Sequence, residues 1–173
     1  MNLHIKSKVF SMHNKMEVLD ENDEVVYTVS SKAVSIHNKT CIKDRDGNEV
    51  ANISRKVISI HEKHEIEMAN GTNFELSTEI FHITKDVINV EELGWTLEGD
   101  FFHHNYQVLN SDGTQIATTH VKWMSMHNIL YIDISDDSQA DTLVALFVTL
   151  EHIIEDRNNN AGYSTSNTQT PSN

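Results

Sequence analysis

A short phrase, Ser-apolar-His followed by a polar residue, is written four times along this chain. It reads Ser11-Met12-His13-Asn14, Ser35-Ile36-His37-Asn38, Ser59-Ile60-His61-Glu62 and Ser125-Met126-His127-Asn128. The first three copies stand 24 residues apart, and His104-Asn105 partly fills the gap before the fourth. A fixed period of this size marks one supersecondary unit used repeatedly, so the fold is built by repetition.

Between the phrases lie segments in which β-branched and aromatic residues alternate with polar ones, the signature of half-buried strands. Long segments cover 3–9, 25–36, 50–60, 74–81, 95–102 and 116–126. Each is followed by a shorter one, at 16–19, 40–43, 65–68, 87–90, 106–109 and 130–134. Six long and six short strands make twelve. Two classes of turn alternate between them. Asp20-Glu21-Asn22-Asp23, Asp44-Arg45-Asp46-Gly47, Asn70-Gly71 and Ser111-Asp112-Gly113 form one class, rich in residues that tolerate positive φ. The His phrases form the other. Every second turn of an antiparallel meander falls at the same end of the sheet, so the His phrases gather on one rim and the Asp/Gly turns on the other.

The chain changes character near its C-terminus. Ser138-Gln139-Ala140-Asp141 resembles a capping box ahead of a helix over 142–156. Leu143, Val144, Ala145, Leu146, Phe147, Val148, Leu150, Ile153 and Ile154 leave this helix almost no polar face in its first half, so it is buried on all sides. Eight strands close into a barrel that their own side chains fill, whereas twelve leave spare interior. One helix, roughly 10–12 Å across, suits that vacancy. The expected fold is mainly β: a twelve-stranded antiparallel barrel of six repeated hairpins enclosing a C-terminal hydrophobic helix. The expected domain spans 1–156, with the central helix at 138–156. Residues 157–173 are almost all Asn, Ser, Thr and Gln after Arg157 and read as a disordered polar tail.

Several units resemble the LURP-one-related family, with this chain as a bacterial member. They are Lys8-Val9-Phe10-Ser11, Lys32-Ala33-Val34-Ser35, Lys56-Val57-Ile58-Ser59, Leu97-Glu98-Gly99-Asp100-Phe101, Val121-Lys122-Trp123-Met124-Ser125 and Tyr131-Ile132-Asp133-Ile134, together with the apolar final helix. The resemblance covers about residues 1–156 and includes the order of the elements. It implies a twelve-stranded barrel around a C-terminal helix, shared with the Tubby C-terminal domain and the phospholipid scramblases. It implies little about activity.

Composition limits the partners. A formal charge of −13 on 173 residues argues against nucleic acid and anionic lipid, both of which attract cationic faces. Cys41 is the single cysteine, so no intramolecular disulfide forms, and its strand position suggests a buried structural thiol. The segment Met1-Asn2-Leu3-His4-Ile5-Lys6 lacks the apolar core of a signal peptide. The longest apolar run, 143–150, is far short of a membrane span. A cytoplasmic protein, peripheral to a membrane at most, is expected.

Of the eleven histidines, His13, His37, His61, His104 and His127 should share the rim and form a candidate pH-sensing or metal-binding row. The simpler reading is turn chemistry, since His and Asn tolerate the positive φ of a two-residue hairpin turn. A shared metal is disfavoured because successive hairpins lie roughly 10 Å apart, whereas zinc–nitrogen bonds are about 2 Å. Protonating all eleven would move the charge from −13 to −2 and favour self-association. Asp133, Asp136, Asp137 and Asp141 are candidate cation ligands by analogy with scramblases, which are thought to bind calcium ahead of their final helix. The simpler reading is that acids sit well at a helix start and Ser138 caps it. Trp95, Trp123, Phe101, Phe102 and Tyr106 read as barrel core or wall, as they have no basic surround.

No phosphate loop, Cys-x-x-Cys, His-Glu-x-x-His or nucleophile elbow occurs, and no cofactor is implied. The expected function is a non-enzymatic binding or scaffold module with an unknown protein or lipid partner, acting at a membrane or lipid surface as the resemblance suggests. The alternative is a cytoplasmic protein–protein interaction domain without lipid binding. An enzyme is disfavoured, because a filled barrel has no interior for a substrate.

Overall fold

A computed structural model describes residues 1–7, 15–34, 37–58, 61–77, 87–101, 103–122 and 128–164. Twelve strands follow in order. They are β1 (Asn2–Ser7), β2 (Met16–Asp20), β3 (Val25–Val34), β4 (His37–Asp44), β5 (Glu49–Ile58), β6 (His61–Met68), β7 (Asn73–Ser77), β8 (Val87–Val90), β9 (Trp95–Asp100), β10 (Asn105–Leu109), β11 (Gln115–Lys122) and β12 (Asn128–Ile134). A 3-10 turn, Asp137–Gln139, leads into helix α1, Ala140–Ser164.

All pairings are antiparallel, and the hydrogen-bonded order is β7-β6-β5-β4-β3-β2-β1-β12-β11-β10-β9-β8. Sequence neighbours are therefore ladder neighbours, and β1 joins β12 to bend the sheet into a nearly closed barrel. The strands at the two ends of that order, β7 and β8, face each other across a seam. The period of two predicted from the sequence is visible in burial. Ile53 of β5, Ile66 and Met68 of β6, Leu97 of β9 and Tyr106 and Val108 of β10 point inward, and their alternates are half-buried or exposed. Trp95, Phe101 and Tyr106 belong to the core as expected. Trp123 and Phe102 lie outside the described residues.

The Asp/Gly turns are one device used repeatedly. Asp20 Oδ1 accepts from the N–H groups of Asn22 and Glu24, Asp44 Oδ1 from those of Asp46 and Asn48, and Asn110 Oδ1 from those of Asp112 and Thr114. The backbone crosses each turn with a 2.9 Å bond, from Asp20 N to Glu24 O, Asp44 N to Asn48 O and Asn110 N to Thr114 O. A positive φ follows at Asp23, Gly47 and Gly113. An Asx side chain thus organises the turn, and the next ladder pair is displaced by a bulge.

The other class of turn is corrected by the register. Val34 pairs with His37, and Ile58 pairs with His61. His37 and His61 are therefore the first paired residues of β4 and β6. The two positions between each pair, 35–36 and 59–60, lie outside the described residues. The propensity of His-Asn for positive φ is real, but register decides which residues close a ladder. His104 alone among the described phrases has the expected conformation, with φ of 53°.

Helix α1 is buried all round, as its composition predicts. Every residue from 143 to 154 is buried, and Phe147, Leu143, Leu146 and Leu150 are at 0% exposure. Its start differs from expectation. Asp136, and not Ser138, supplies the cap: its carboxylate accepts from the Ser138 N–H at 3.0 Å and the Ser138 hydroxyl at 2.6 Å. The helix also runs to Ser164, past the boundary expected at 156. A helix nucleated by buried packing propagates cheaply through residues that do not break it, and the one proline, Pro171, comes later. Residues 165–173 lie outside the described set.

Candidate functional site

Strand β12 ends at the same rim as the Asp/Gly turns, so α1 enters the barrel there and runs toward the opposite rim. Its first turn is anchored by Tyr27, whose hydroxyl donates to Asp141 Oδ1 at 2.7 Å. Burial, and then that hydrogen bond, push the Tyr27 hydroxyl pKa well up. Some 16 Å further along, at 1.5 Å per residue, the apolar helix carries two polar residues in succession, Glu151 and His152. Both are buried.

These two side chains divide a polar layer between them. On one side, Glu151 Oε1 meets His104 Nδ1 at 2.8 Å, with the carboxylate 1% and the imidazole 13% exposed. His104 stands just ahead of β10, in the turn that follows β9. Thr119 of β11 ties down that turn by donating its hydroxyl to His104 O at 3.0 Å. Burial acts to lower the His104 pKa, but the Glu151 hydrogen bond and charge, with the Asp100 charge, outweigh it and raise the pKa. Tyr106 packs against Phe147 and Phe101 in the same layer. Its buried hydroxyl has no hydrogen-bond partner among the described residues. Burial, then the Glu151 charge, raise its pKa strongly.

On the other side are His152, Arg55 and His64. Arg55 and His64 are direct partners across the β5–β6 ladder. Both fall on the inward phase of their strands, Arg55 in step with Ala51 and Ile53, His64 with Ile66 and Met68. His64 is 2% exposed, and neither ring nitrogen has a hydrogen-bond partner among the described residues. Burial, then the charges of His152 and Arg55, lower the His64 pKa to about 4. Burial and Arg55 likewise lower His152 to about 4. Both imidazoles are thus neutral at pH 7, beside a guanidinium.

The residues singled out from sequence are distributed otherwise. Of the histidine row, His104 belongs to this layer, His37 and His61 start strands, and His13 and His127 lie outside the described residues. The four aspartates each have a separate partner. Asp136 caps the 3-10 turn, Asp141 accepts from Tyr27, Asp137 lies 2.8 Å from the Met1 amine, and Asp133 lies 3.8 Å from His120. Among the described residues no three His, Cys, Asp or Glu side chains are grouped to hold a metal ion. Cys41 is half-buried on the outward phase of β4, not in the core, and its Sγ donates to Glu49 Oε2 at 3.3 Å. Arg55, His64, Glu151 and His152 were missed. The signal was available: polar residues inside a helix predicted to be buried all round, and at strand positions in phase with core residues, are drawn inward, and His64, Glu151 and His152 are buried while Arg55 is half-buried.

The family model for LURP-one-related proteins matches residues 1–151, which span all twelve strands and the helix as far as Glu151. The chain belongs to the LURP-one-related family. An X-ray structure of a protein from Arabidopsis thaliana is similar, with a TM-score of 0.50 and 12% identity, and the match covers 91% of each chain. At that identity the likeness speaks for the fold alone. No curated protein matches.

Proposed function

We propose that this LURP-one-related chain is a non-enzymatic binding or scaffold module that engages its ligand from outside the barrel, at a membrane or lipid surface. The observation that carries this reading is the filled interior: residues 143–154 of α1 are buried without a break. The volume in which a barrel would normally hold a substrate is taken by the chain itself. Two clefts of about 440 Å³ lie at the surface. One is lined by residues including His4, Glu21, Asp23, Tyr131 and Asp133, the other by Trp95, Glu98, Asn110 and Ser111 among others. The lipid part of the proposal rests on the resemblance to Tubby domains and scramblases.

A second reading, a protein partner without lipid, is favoured by charge. The formal charge is −13. Two of the lysines on the barrel wall are already engaged, Lys56 with Glu65 at 2.6 Å and Lys63 with Glu75 at 2.7 Å. A surface of this kind repels anionic headgroups. Co-sedimentation with phosphatidylcholine vesicles, and with vesicles containing phosphatidylserine, each with and without calcium, separates the two. Pelleting under at least one condition is expected from the first reading. Absence of pelleting under all four removes it and leaves the protein partner.

A further inference from the structure

We propose that the cleft over strand β1, between the β2–β3 turn and β12, is a docking site for an arginine-bearing segment of a partner protein. It rests on the reading of a protein partner without lipid, and names the chemistry of that partner. The cleft holds about 440 Å³ and is lined by residues 2–4 of β1, by Glu21 and Asp23 of the turn, and by Tyr131 and Asp133 of β12.

A row of rings runs through it on the outer wall of the barrel. His120 of β11, Tyr131 of β12 and His4 of β1 are direct partners across two ladders, on the outward phase of their strands. The His120 ring lies nearly parallel to Tyr131, at 9° with centres 5.0 Å apart, and His4 follows at 6.0 Å, tilted by 32°. His4 alternates with the core residues Leu3 and Ile5, yet it is only 8% exposed. Tyr131 stands beside it, and Asp23 Oδ1 lies 2.9 Å from its Nε2. The floor is therefore set before a ligand arrives, and little side-chain freedom is left to lose on binding. Beyond His4 the row continues through Leu19 of β2 and Val25 of β3, half-buried and exposed respectively. Five strands span roughly 19 Å, four strand spacings. That is the length of about six extended residues, so the row fits a peptide segment better than a small free cation.

Charge selects which segment. The turn after β2 and the end of β12 flank β1 on its two sides, so Glu21 and Asp133 stand on opposite banks. No lysine or arginine is among the described residues that line the cleft. The next outward positions along the wall, Lys6 and Lys122, both fall opposite Ile129, one pair further toward the other rim. A guanidinium suits these surroundings better than an ammonium. It is planar, it lies flat on rings, and its fork of N–H donors meets a carboxylate at both oxygens. The formal charge of −13 also steers basic segments toward the molecule.

Titration of the isotopically labelled full chain with a hexa-arginine peptide, followed by NMR in about 0.15 M salt, tests the proposal. No lipid is present, so failure here and failure of vesicle co-sedimentation are separate results. Amide shifts should concentrate in β1, the β2–β3 turn and the facing parts of β11 and β12. The double variant Glu21→Gln, Asp133→Asn should weaken binding roughly fivefold through the loss of two exposed charge pairs. Glu91→Gln with Glu92→Gln, an equal loss of charge in the β8–β9 turn, should leave affinity nearly unchanged. All four carboxylates are exposed, so both double variants keep the fold. Hexa-lysine should bind more weakly than hexa-arginine. Four outcomes overturn the docking site: shifts spread evenly over the acidic surface, equal losses in the two double variants, equal affinity for the two peptides, or no binding at millimolar peptide.

Discussion

His104 is held at φ of 53°, a conformation uncommon for a residue with a side chain, and its ring is within hydrogen-bond distance of a buried carboxylate 47 residues away. The backbone part of this was legible in the sequence, because His-Asn signals tolerance of positive φ. The partner was not, because Glu151 is brought to His104 only when α1 enters the barrel. The pair makes a specific prediction. The raised pKa of His104 means that its charge-assisted contribution is fully present below about pH 6.5 and is lost as the pH rises through the folded value. Glu151→Gln should therefore destabilise the fold by roughly 2 kcal/mol near pH 6, and by less near pH 9. Urea unfolding at the two pH values measures the difference; equal losses would contradict it. A second residue-scale constraint sits opposite the pair. Gly99 has φ of 136°, and a Cβ there would lie 2.5 Å from Asn105 O and 2.6 Å from Tyr106 Cα. The β9–β10 ladder that presents His104 therefore requires a residue without a side chain at this position.

The elements follow the sequence closely where a single physical rule governs them. Period-two alternation placed all twelve strands, and an unbroken apolar run placed the helix in the interior. Where two rules compete, sequence reading fails at the boundary. Ser138 looked like the cap because it precedes the apolar run, yet the chain tightens into a 3-10 turn first and moves the capping role to Asp136. His37 looked like a turn centre by residue type, yet its pairing with Val34 places it in β4. The element that matters most for stability is α1, whose side chains make contacts with strands remote from one another in sequence. Phe147 is at 0% exposure and packs against Tyr106 with the rings tilted and their centres 6.0 Å apart. Phe147→Ala should cost roughly 3–5 kcal/mol through lost transfer energy and the cavity left behind, a large fraction of the stability of a domain this size. Thermal or chemical denaturation gives the value. A loss below about 1 kcal/mol would mean that the helix is not the filler of the barrel.

At the scale of the whole molecule, the burial of two histidines alters the charge argument. Burial lowers the pKa of His64 and His152 to about 4, so protonating the other nine histidines alone would bring the formal charge from −13 only to −4. Self-association on acidification should accordingly be gradual between pH 7.5 and 5.5 and steepen nearer pH 4, where the interior also begins to charge. Sedimentation velocity across that range would show it, and constant mass down to pH 4 would count against it. The architecture also has a history written into its ladder order. Strands β1 and β12 are neighbours at the centre of that order, while the seam falls between β7 and β8 in mid-chain. As a ribosome makes this protein, the first seven strands emerge as an open sheet whose inner face carries Leu3, Ile5, Val18, Ile42, Ile53, Ile66 and Leu76. The partner strand for β1 and the helix that covers that face follow β7 by more than fifty residues, so they are translated on the order of ten seconds later at ordinary synthesis rates. During that interval the nascent chain presents a broad greasy surface with nothing of its own to cover it, which makes this fold a natural client for a chaperone waiting at the exit tunnel.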